Sequence, residues 1–506
     1  MAPSGCDTGR SETDASAELT HDSLAASVLM LFALTVVQRM IGFLRGVLFC
    51  RWLDAEQLGQ WDLAFGFLML AAPLAVLGLP GSYGRYLEYY RQRGQLKPFL
   101  RRSGAGILVL TVLAVAAVAA GRRWFSEVIF GTPDNTGLVL LIAVGLGVVI
   151  LDNAFCSLYT ALRQVRFVSL TQFVNSLVFA VLGVGLLLMW SAQTVSVVVA
   201  FAVASCCTMA MAMFRWSHIW RALPAAEAVL PGRSLWTWLA PLAFWLWVTN
   251  WLSNAFNLVD RFMIVHYSGL PAADALNLVG QYHTARIFPV LFVGVAELLA
   301  AVITPHLSAD WDRGQRAEVS RRLGLILKVL SLGLVAASLA VLVIAPVLFD
   351  RVWQDRYADG LLVLPWALVC AVWTCLTVVS FNYLWYAEKS RLIGASLAVG
   401  LALNVAMIPP LLGSLGLLGA VLSTAAARLV ILCLVWSFAR WHGMQIDRGL
   451  VLAAALPIAI CLGPWCGLFV LAVLVLGIIP KAAYFDAGER KLLIAAGEDA
   501  WKRFRK

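Results

Sequence analysis

Asn250, Asn254, Asn257 and Arg261 follow one another at steps of four, three and four residues. In an α-helix that spacing keeps them within an arc of about 60°. Leu246, Trp251, Leu252 and Phe256 leave the other faces apolar. The run Leu235–Trp251 just upstream is apolar and aromatic enough to enter a membrane, so the row begins at bilayer depth. Such a stripe is either a cavity wall or hydrogen-bonding glue between packed helices. The arginine at its end favours the wall, because a guanidinium offers a fork of donors to an anionic group such as pyrophosphate.

Charged side chains at that depth cost roughly 2.5–3.5 kcal/mol each on insertion scales, and so face a cavity or a partner. Arg39, Arg45, Asp152, Asp260, Arg286, Glu297 and Arg428 join Arg261 in this class. Arg45, Arg261 and Arg286 are expected in the outer half of the membrane, Arg39 and Arg428 near its middle, and Asp152 toward the cytoplasmic side. Arg45 can snorkel to the interface, whereas Arg39 is too deep to do so easily. Asp260 lies beside the asparagine row and is expected to pair with an arginine from another helix. Asp152, followed by Asn153, is either a functional carboxylate or a cap near the inner face. Glu297 has no other charge within a helical turn and is expected as a buried carboxyl, either titrating as the protein works or held neutral for structure. With Asp62 at the edge, four carboxylates stand against five arginines, a small excess in favour of an anionic ligand. The candidate binding set is Arg39, Arg45, Asn250, Asn254, Asn257, Arg261, Arg286 and Arg428. Asp152, Asp260 and Glu297 are the candidates for ion coupling or charge pairing.

The elements that hold these residues follow from composition. The chain of 506 residues is 61% hydrophobic and 13% charged, with a mean hydropathy of +0.84. That is a polytopic membrane protein, all-α, because only helices satisfy their own backbone in each apolar window. About 20 apolar residues cross the hydrocarbon core, and windows of that length give about fourteen spans. The last two are the segments 450–463 and 465–480, which form either two short spans hinged at Gly463–Pro464 or one long kinked span. With the N-terminus inside, cytoplasmic loops hold nineteen lysines and arginines, and the opposite loops hold only Arg51, Arg122, Arg123, Arg351 and Arg356. This asymmetry sets the orientation and puts both termini in the cytoplasm. The net charge of +10 then fits anionic lipid head groups or an anionic substrate rather than nucleic acid. Most of the ten cysteines lie in or beside apolar segments without disulfide or zinc spacing, and read as packing residues.

The chain also repeats itself. LGQWDLAFG at 58–66 and VGQYHTARI at 279–287 each introduce the second span of a six-span block. Each second span is expected to end in a proline, Pro80 or Pro305, and each following basic loop contains Arg-Gly-Gln, at 93–95 and 313–315. Six is even, so the blocks share an orientation and a pseudo-two-fold axis along the membrane normal relates them. The expected organisation is a disordered cytoplasmic tail over 1–25, an N-lobe over 26–214 and a C-lobe over 236–440. Two added spans over 449–480 and a basic cytoplasmic tail over 481–506 complete it. That tail reads either as an interfacial amphipathic helix or as a plain solvated segment.

The opening QRMIGFLRGVLFCRWLDAEQLGQWDLAFGFLMLAAPLAVLGLPGSYGRYLEYYRQRGQ resembles that of the oligosaccharide flippases, the O-antigen and exopolysaccharide exporters of the multidrug/oligosaccharidyl-lipid/polysaccharide exporter superfamily. NAFNLVDRFMIVHYSG and VGQYHTARIFPVLFVGVAELLAAVITPHLSADWDRG resemble that family's seventh and eighth spans, with Asp260 near the end of the first and Gly280 and Tyr282 at the entry to the second. The resemblance implies translocation of an undecaprenyl-pyrophosphate-linked oligosaccharide to the outer leaflet of a bacterial inner membrane, by alternating access between two six-span lobes. Carried over by position, Arg39, Arg45, Arg261 and Arg286 would hold the pyrophosphate or polar sugars. Asp260 or Glu297 would serve charge pairing or coupling to H+ or Na+. A lipid II flippase shares the fourteen-span count and stays open as an alternative. A multidrug antiporter would prefer an acidic, aromatic cavity, which the arginines argue against. Short outer loops and the lack of nucleophile, Walker or metal motifs argue against a membrane enzyme, and no cofactor is expected.

Overall fold

The computed structural model describes residues 24–223, 232–473, 484–486 and 488–489. Among them there is no strand, and sixteen α-helices follow one another. The first eight are α1 (Leu24–Trp52), α2 (Ala55–Ala75), α3 (Tyr83–Gln92), α4 (Leu96–Ala120), α5 (Arg122–Phe130), α6 (Thr136–Ala161), α7 (Val165–Met189) and α8 (Thr194–Ala222). Then come α9 (Gly232–Tyr267), α10 (Ala272–Asp312), α11 (Arg316–Val347), α12 (Ala358–Tyr386), α13 (Ser390–Leu415) and α14 (Leu417–Trp441). Last are α15 (Arg448–Ala455) and α16 (Pro464–Val473).

Eleven of the described helices are long and apolar enough to cross a membrane, and two shorter apolar segments, Arg448–Leu462 and Pro464–Val473, follow them. Those two are separate elements: α15 tightens into a 3-10 turn over Leu456–Leu462, and Gly463 at φ +89° turns the chain before Pro464. Of the two forms open to the last apolar stretch, this is the hinged pair. The interfacial-helix reading of the C-terminal tail falls largely outside the described residues, as does the N-terminal tail.

The helices α1, α2, α4, α6, α7 and α8 pack on one another, and so do α9 to α14. The two sets meet chiefly where α2 crosses α10 and α9, and where α1 meets α10. On the face that carries the basic loops, five connections end their helices alike. The amide of Gln95, Gln164, Gln315, Lys389 or Met444 reaches back five residues, to Tyr90, Tyr159, Asp310, Leu384 or Ala439, at 2.8–3.0 Å. The residue before each takes a left-handed conformation: Gly94, Arg163, Gly314, Glu388 and Gly443. This is the Schellman closure of a helix C-terminus. The two Arg-Gly-Gln loops both use the glycine, and the two loops that follow the fourth and tenth spans both use a charged residue instead.

One expectation fails here. Pro80 does open a 3-10 turn after α2, but Pro305 lies inside α10, which runs on to Asp312. A proline within a membrane helix is tolerated when neighbours satisfy the backbone it disturbs. Next to this proline, Tyr386 on α12 donates its hydroxyl to the Thr304 carbonyl at 3.2 Å and ties the two helices together.

A buried ammonium ties the end of the chain to this frame. Lys328 on α11 is 1% exposed. Its Nζ donates to Asp447 at 2.5 Å and to both carboxylate oxygens of Glu489 at 2.8 and 2.9 Å. Tyr484 donates to the Lys328 carbonyl at 2.9 Å.

Candidate functional site

The glycines of the repeated Gly-Gln-aromatic triplets face each other. A Cβ on Gly59 would lie 2.0 Å from the carbonyl oxygen of Leu276, and one on Gly280 would lie 1.9 Å from that of Ala55. Only glycine lets α2 and α10 approach this closely. Three residues on, the same register sets Asp62 opposite His283, with Oδ1 and Nδ1 2.9 Å apart.

Asp62 is a hub. Arg261 on α9 brings Nε to 3.0 Å from Asp62 Oδ2 and donates from Nη1 to the Asp62 carbonyl at 3.4 Å. Arg286 on α10 completes the group, with Nη1 4.0 Å from the same Oδ2 and its guanidinium 5.4 Å from the Tyr282 ring. Asp62 and Arg261 are 4% and 7% exposed, so one buried carboxylate joins α2 to two guanidiniums and an imidazole from α9 and α10. Gly66, one turn along α2, lets α9 come close: a Cβ there would stand 2.0 Å from Leu258 Cδ1 and 3.2 Å from Arg261 Nη1. Asp62 is seven residues from the start of α2, about 10 Å along the helix at 1.5 Å per residue.

Deeper along α9 the asparagine row is open. Asn257 is exposed and accepts from Arg428 Nη2 at 2.6 Å, while the Arg428 guanidinium sits 4.0 Å over Phe256. Asn254 donates to Asn250, at 3.0 Å to its carbonyl and 3.2 Å to its side-chain oxygen. Further along α10, Glu297 accepts from Arg39 on α1 at 2.8 Å, with side chains 51% and 39% exposed. Gly294 lies flat under that guanidinium, its would-be Cβ 3.1 Å from Arg39 Cζ.

Three expectations are corrected. Asp260 makes no ion pair among the described residues. It accepts from the Tyr282 hydroxyl and, at 3.5 Å, from Thr424. The carboxylate that Arg261 takes is Asp62 on α2, which packs against α9 as well as α10. Glu297 is not a lone buried carboxyl, since Arg39 reaches it from a helix remote in sequence. Of the arginines that the resemblance sets beside Arg261 to hold the pyrophosphate or sugars, Arg286 joins it through Asp62, whereas Arg39 is held by Glu297 and Arg45 lies 4.0 Å over the Phe179 ring on α7.

Asp152 also stands apart, accepting from Thr208 at 3.0 Å beside an Asn175–Ser205–Thr208 cluster within α6, α7 and α8. Asp260, by contrast, adjoins open polar capacity. Among the described residues its Oδ1 and the amide nitrogen of Asn404 have no hydrogen-bond partner, although Ser423 and Thr424 donate to Asn404 Oδ1 at 2.8 and 3.5 Å. Among the described residues no group of three or more His, Cys, Asp or Glu could hold a metal ion.

Sequence reasoning counted Asp62 only as an edge charge and passed over His283. The signal was present in the repeat, which puts Asp62 and His283 at the same position, three residues after its glycine.

The Arg39–Glu297 pair makes one further demand on the chain. If Arg39 and Glu297 act as a pair, reversing both charges (Arg39→Glu with Glu297→Arg) should restore stability that either single change lowers. Thermal midpoints of the four proteins in detergent measure this. A double variant no more stable than the singles would deny the pairing.

The sequence profile of polysaccharide biosynthesis proteins matches residues 24–310. No curated protein sequence matches the chain. Among solved structures the fold is similar to the lipid II flippase MurJ in an inward closed conformation, with a TM-score of 0.71 at 12% identity, covering 92% of this chain and 100% of that one. It is also similar to an inward-facing multidrug resistance MATE family transporter of the MOP superfamily, with a TM-score of 0.63 at 13% identity over 82% and 98% of the two chains. A MOP superfamily transporter from Pyrococcus furiosus, described as having a binding pocket of reverse polarity, gives 0.59 at 13% over 84% and 96%.

Proposed function

Because the chain belongs to the polysaccharide biosynthesis protein family, we propose that it is a flippase. Its substrate is an oligosaccharide linked to undecaprenyl pyrophosphate, carried from the cytoplasmic to the outer leaflet of a bacterial inner membrane. Two lobes, spans 1–6 and 7–12, rock about the substrate, and both termini are cytoplasmic. The observation that carries this reading is a set of exposed and half-buried polar side chains at bilayer depth, Asn250, Asn254, Asn257 and Arg428 with the Arg39–Glu297 pair, beside the buried hub at Asp62. Polar side chains at that depth are untenable against lipid, so they line a wet cavity open to the basic, cytoplasmic side.

The hub gives the substrate something to change. Arg261 and Arg286 share one carboxylate, and a pyrophosphate arriving along the asparagine row supplies them with further anionic oxygens. A ligand shifts a two-state equilibrium only by its differential affinity for the two states. A pyrophosphate that takes the arginines from Asp62 favours the state in which α2 has parted from α9 and α10. Asp260, with its free Oδ1 beside Thr424 and Asn404, is the place for a coupling H+ or Na+.

A lipid II flippase would use the same pyrophosphate chemistry, and the sugar is what separates the two. In a deletion strain, surface polysaccharide should disappear while lipid-linked repeat units remain on the cytoplasmic face. Complementation with Arg261→Ala should leave export lost even where raised expression restores the protein to its normal level. Accumulated peptidoglycan precursor with intact surface glycan would favour the lipid II reading. Normal surface glycan with altered drug sensitivity would overturn the flippase reading.

A further inference from the structure

The segment Leu348–Tyr357 between α11 and α12 is more than a connection. It begins with a π-turn over Leu348–Val352 and carries Phe349, Trp353 and Tyr357 at four-residue steps. All three rings are at most 1% exposed, and each meets the next edge-on, with centroids 4.5 and 5.9 Å apart. Two of them bind the first set of helices. Trp353 Nε1 donates to the Val47 carbonyl at 3.0 Å and the Tyr357 hydroxyl to the Leu53 carbonyl at 2.9 Å. Arg51 returns a third bond, from Nη1 to the Val352 carbonyl at 3.0 Å.

Burial pushes the Tyr357 phenol above its usual range, so it remains a donor. Between the two rings, Gln354 and Asp355 are both left-handed, at φ +57° and +56°. Consecutive non-glycine residues in that region are strained and persist only where their surroundings over-determine them. Here those surroundings are the contacts with α1 on one side and Gln281 on the other. Gln281 Nε2 donates to the Arg356 carbonyl at 2.9 Å and accepts from the Gly360 amide at 3.3 Å. Gln281 lies two residues before His283, so strap and hub are mounted on one stretch of α10.

We propose that Leu348–Tyr357 is a second outer lock: a strap whose Trp353 and Tyr357 must leave the end of α1 before the cavity can open outward. It lies about 10 Å outside the Asp62 hub, the length of α2 from Ala55 to Asp62. This rests on the alternating-access reading. The left-handed pair makes the lock releasable, because strain held in the closed strap is relieved when it lets go.

The test reads access to the cavity from outside. A cysteine introduced as Asn257→Cys is labelled with a membrane-impermeant maleimide on whole cells, with labelling of the parent chain subtracted. Trp353→Ala should raise the labelling rate most, and Tyr357→Phe, which removes one hydrogen bond, about fivefold. Gln354→Gly and Asp355→Gly, which relieve the closed strap, should lower it. Should Trp353→Ala fail to fold, the opposite signs of Tyr357→Phe and the glycine variants still decide. If strap variants label like the parent while Asp62→Ala labels faster, the strap is no lock and the alternating-access reading stands. If Asp62→Ala labels no faster either, both fall.

Discussion

Asp62→Ala should cost this protein about 3–5 kcal/mol and all of its transport. Removing one partner of a buried ion pair leaves the other charge uncompensated, which is the expensive way to break it. Here two guanidiniums and an imidazole lose the carboxylate they share, at a position 4% exposed. The readouts are a lowered thermal midpoint in detergent and absent surface glycan in a complemented deletion strain. Stability and function then separate in a double variant. Asp62→Leu with Arg261→Met replaces one pair by apolar groups of similar size and should recover the part of the midpoint lost to an unpaired Arg261, while Arg286 and His283 still lack their carboxylate. Transport should not return, because the arginine that meets the anionic substrate is gone. Asp62→Ala that is both stable and active would remove the hub from the account.

Gly280→Ala is expected to do nearly as much harm with a single methyl group. Its Cβ would stand 1.9 Å from the Ala55 carbonyl oxygen, which is backbone and cannot swing aside, so α2 and α10 must part. Overpacking of this kind costs typically 1–3 kcal/mol. It also carries a direction: with the crossing spread, Asp62 and His283 lose register and the outer side loosens. Gly59→Ala should behave alike, with 2.0 Å to the Leu276 carbonyl oxygen. Gly104→Ala on α4, where nothing lies within 4 Å, is the control and should keep full export. Maleimide access from outside and surface glycan measure both arms. Equal activity for Gly280→Ala and Gly104→Ala would mean that the crossing is not a moving contact.

These two results would also mark what a sequence of this kind reveals. The helices were legible because lipid leaves the backbone no alternative, so each apolar window had to become one. The basic loops were legible from the uneven placing of lysine and arginine along the chain, but their left-handed helix ends were not, since Arg163 and Glu388 serve there as well as glycine. The asparagine row was legible as one face of α9, since helical spacing fixes which residues share a face. Its partners were not. Arg261 and Asp62 are 199 positions apart, and Arg39 and Glu297 are 258 apart. Spacing along one helix says nothing about which residue a second helix presents. That depends on where the two cross, and the crossing is decided by Gly59 against Gly280. The repeat therefore held the missing information: with its two glycines in contact, Asp62 must face His283. The strap was hidden differently: Phe349, Trp353 and Tyr357 recur every four residues, but in a π-turn and loop between two spans, where that spacing does not say which helix covers them.

The measurement that bears most directly on the central claim is transport by the purified full chain in liposomes. An undecaprenyl-pyrophosphate-linked oligosaccharide is placed in one leaflet, and its arrival in the other is followed by accessibility to an added lectin or glycosidase. The account predicts time-dependent transfer by the wild-type chain and none above protein-free liposomes for Arg261→Ala. Transfer that is equally slow with wild-type protein, with Arg261→Ala and without protein would contradict it.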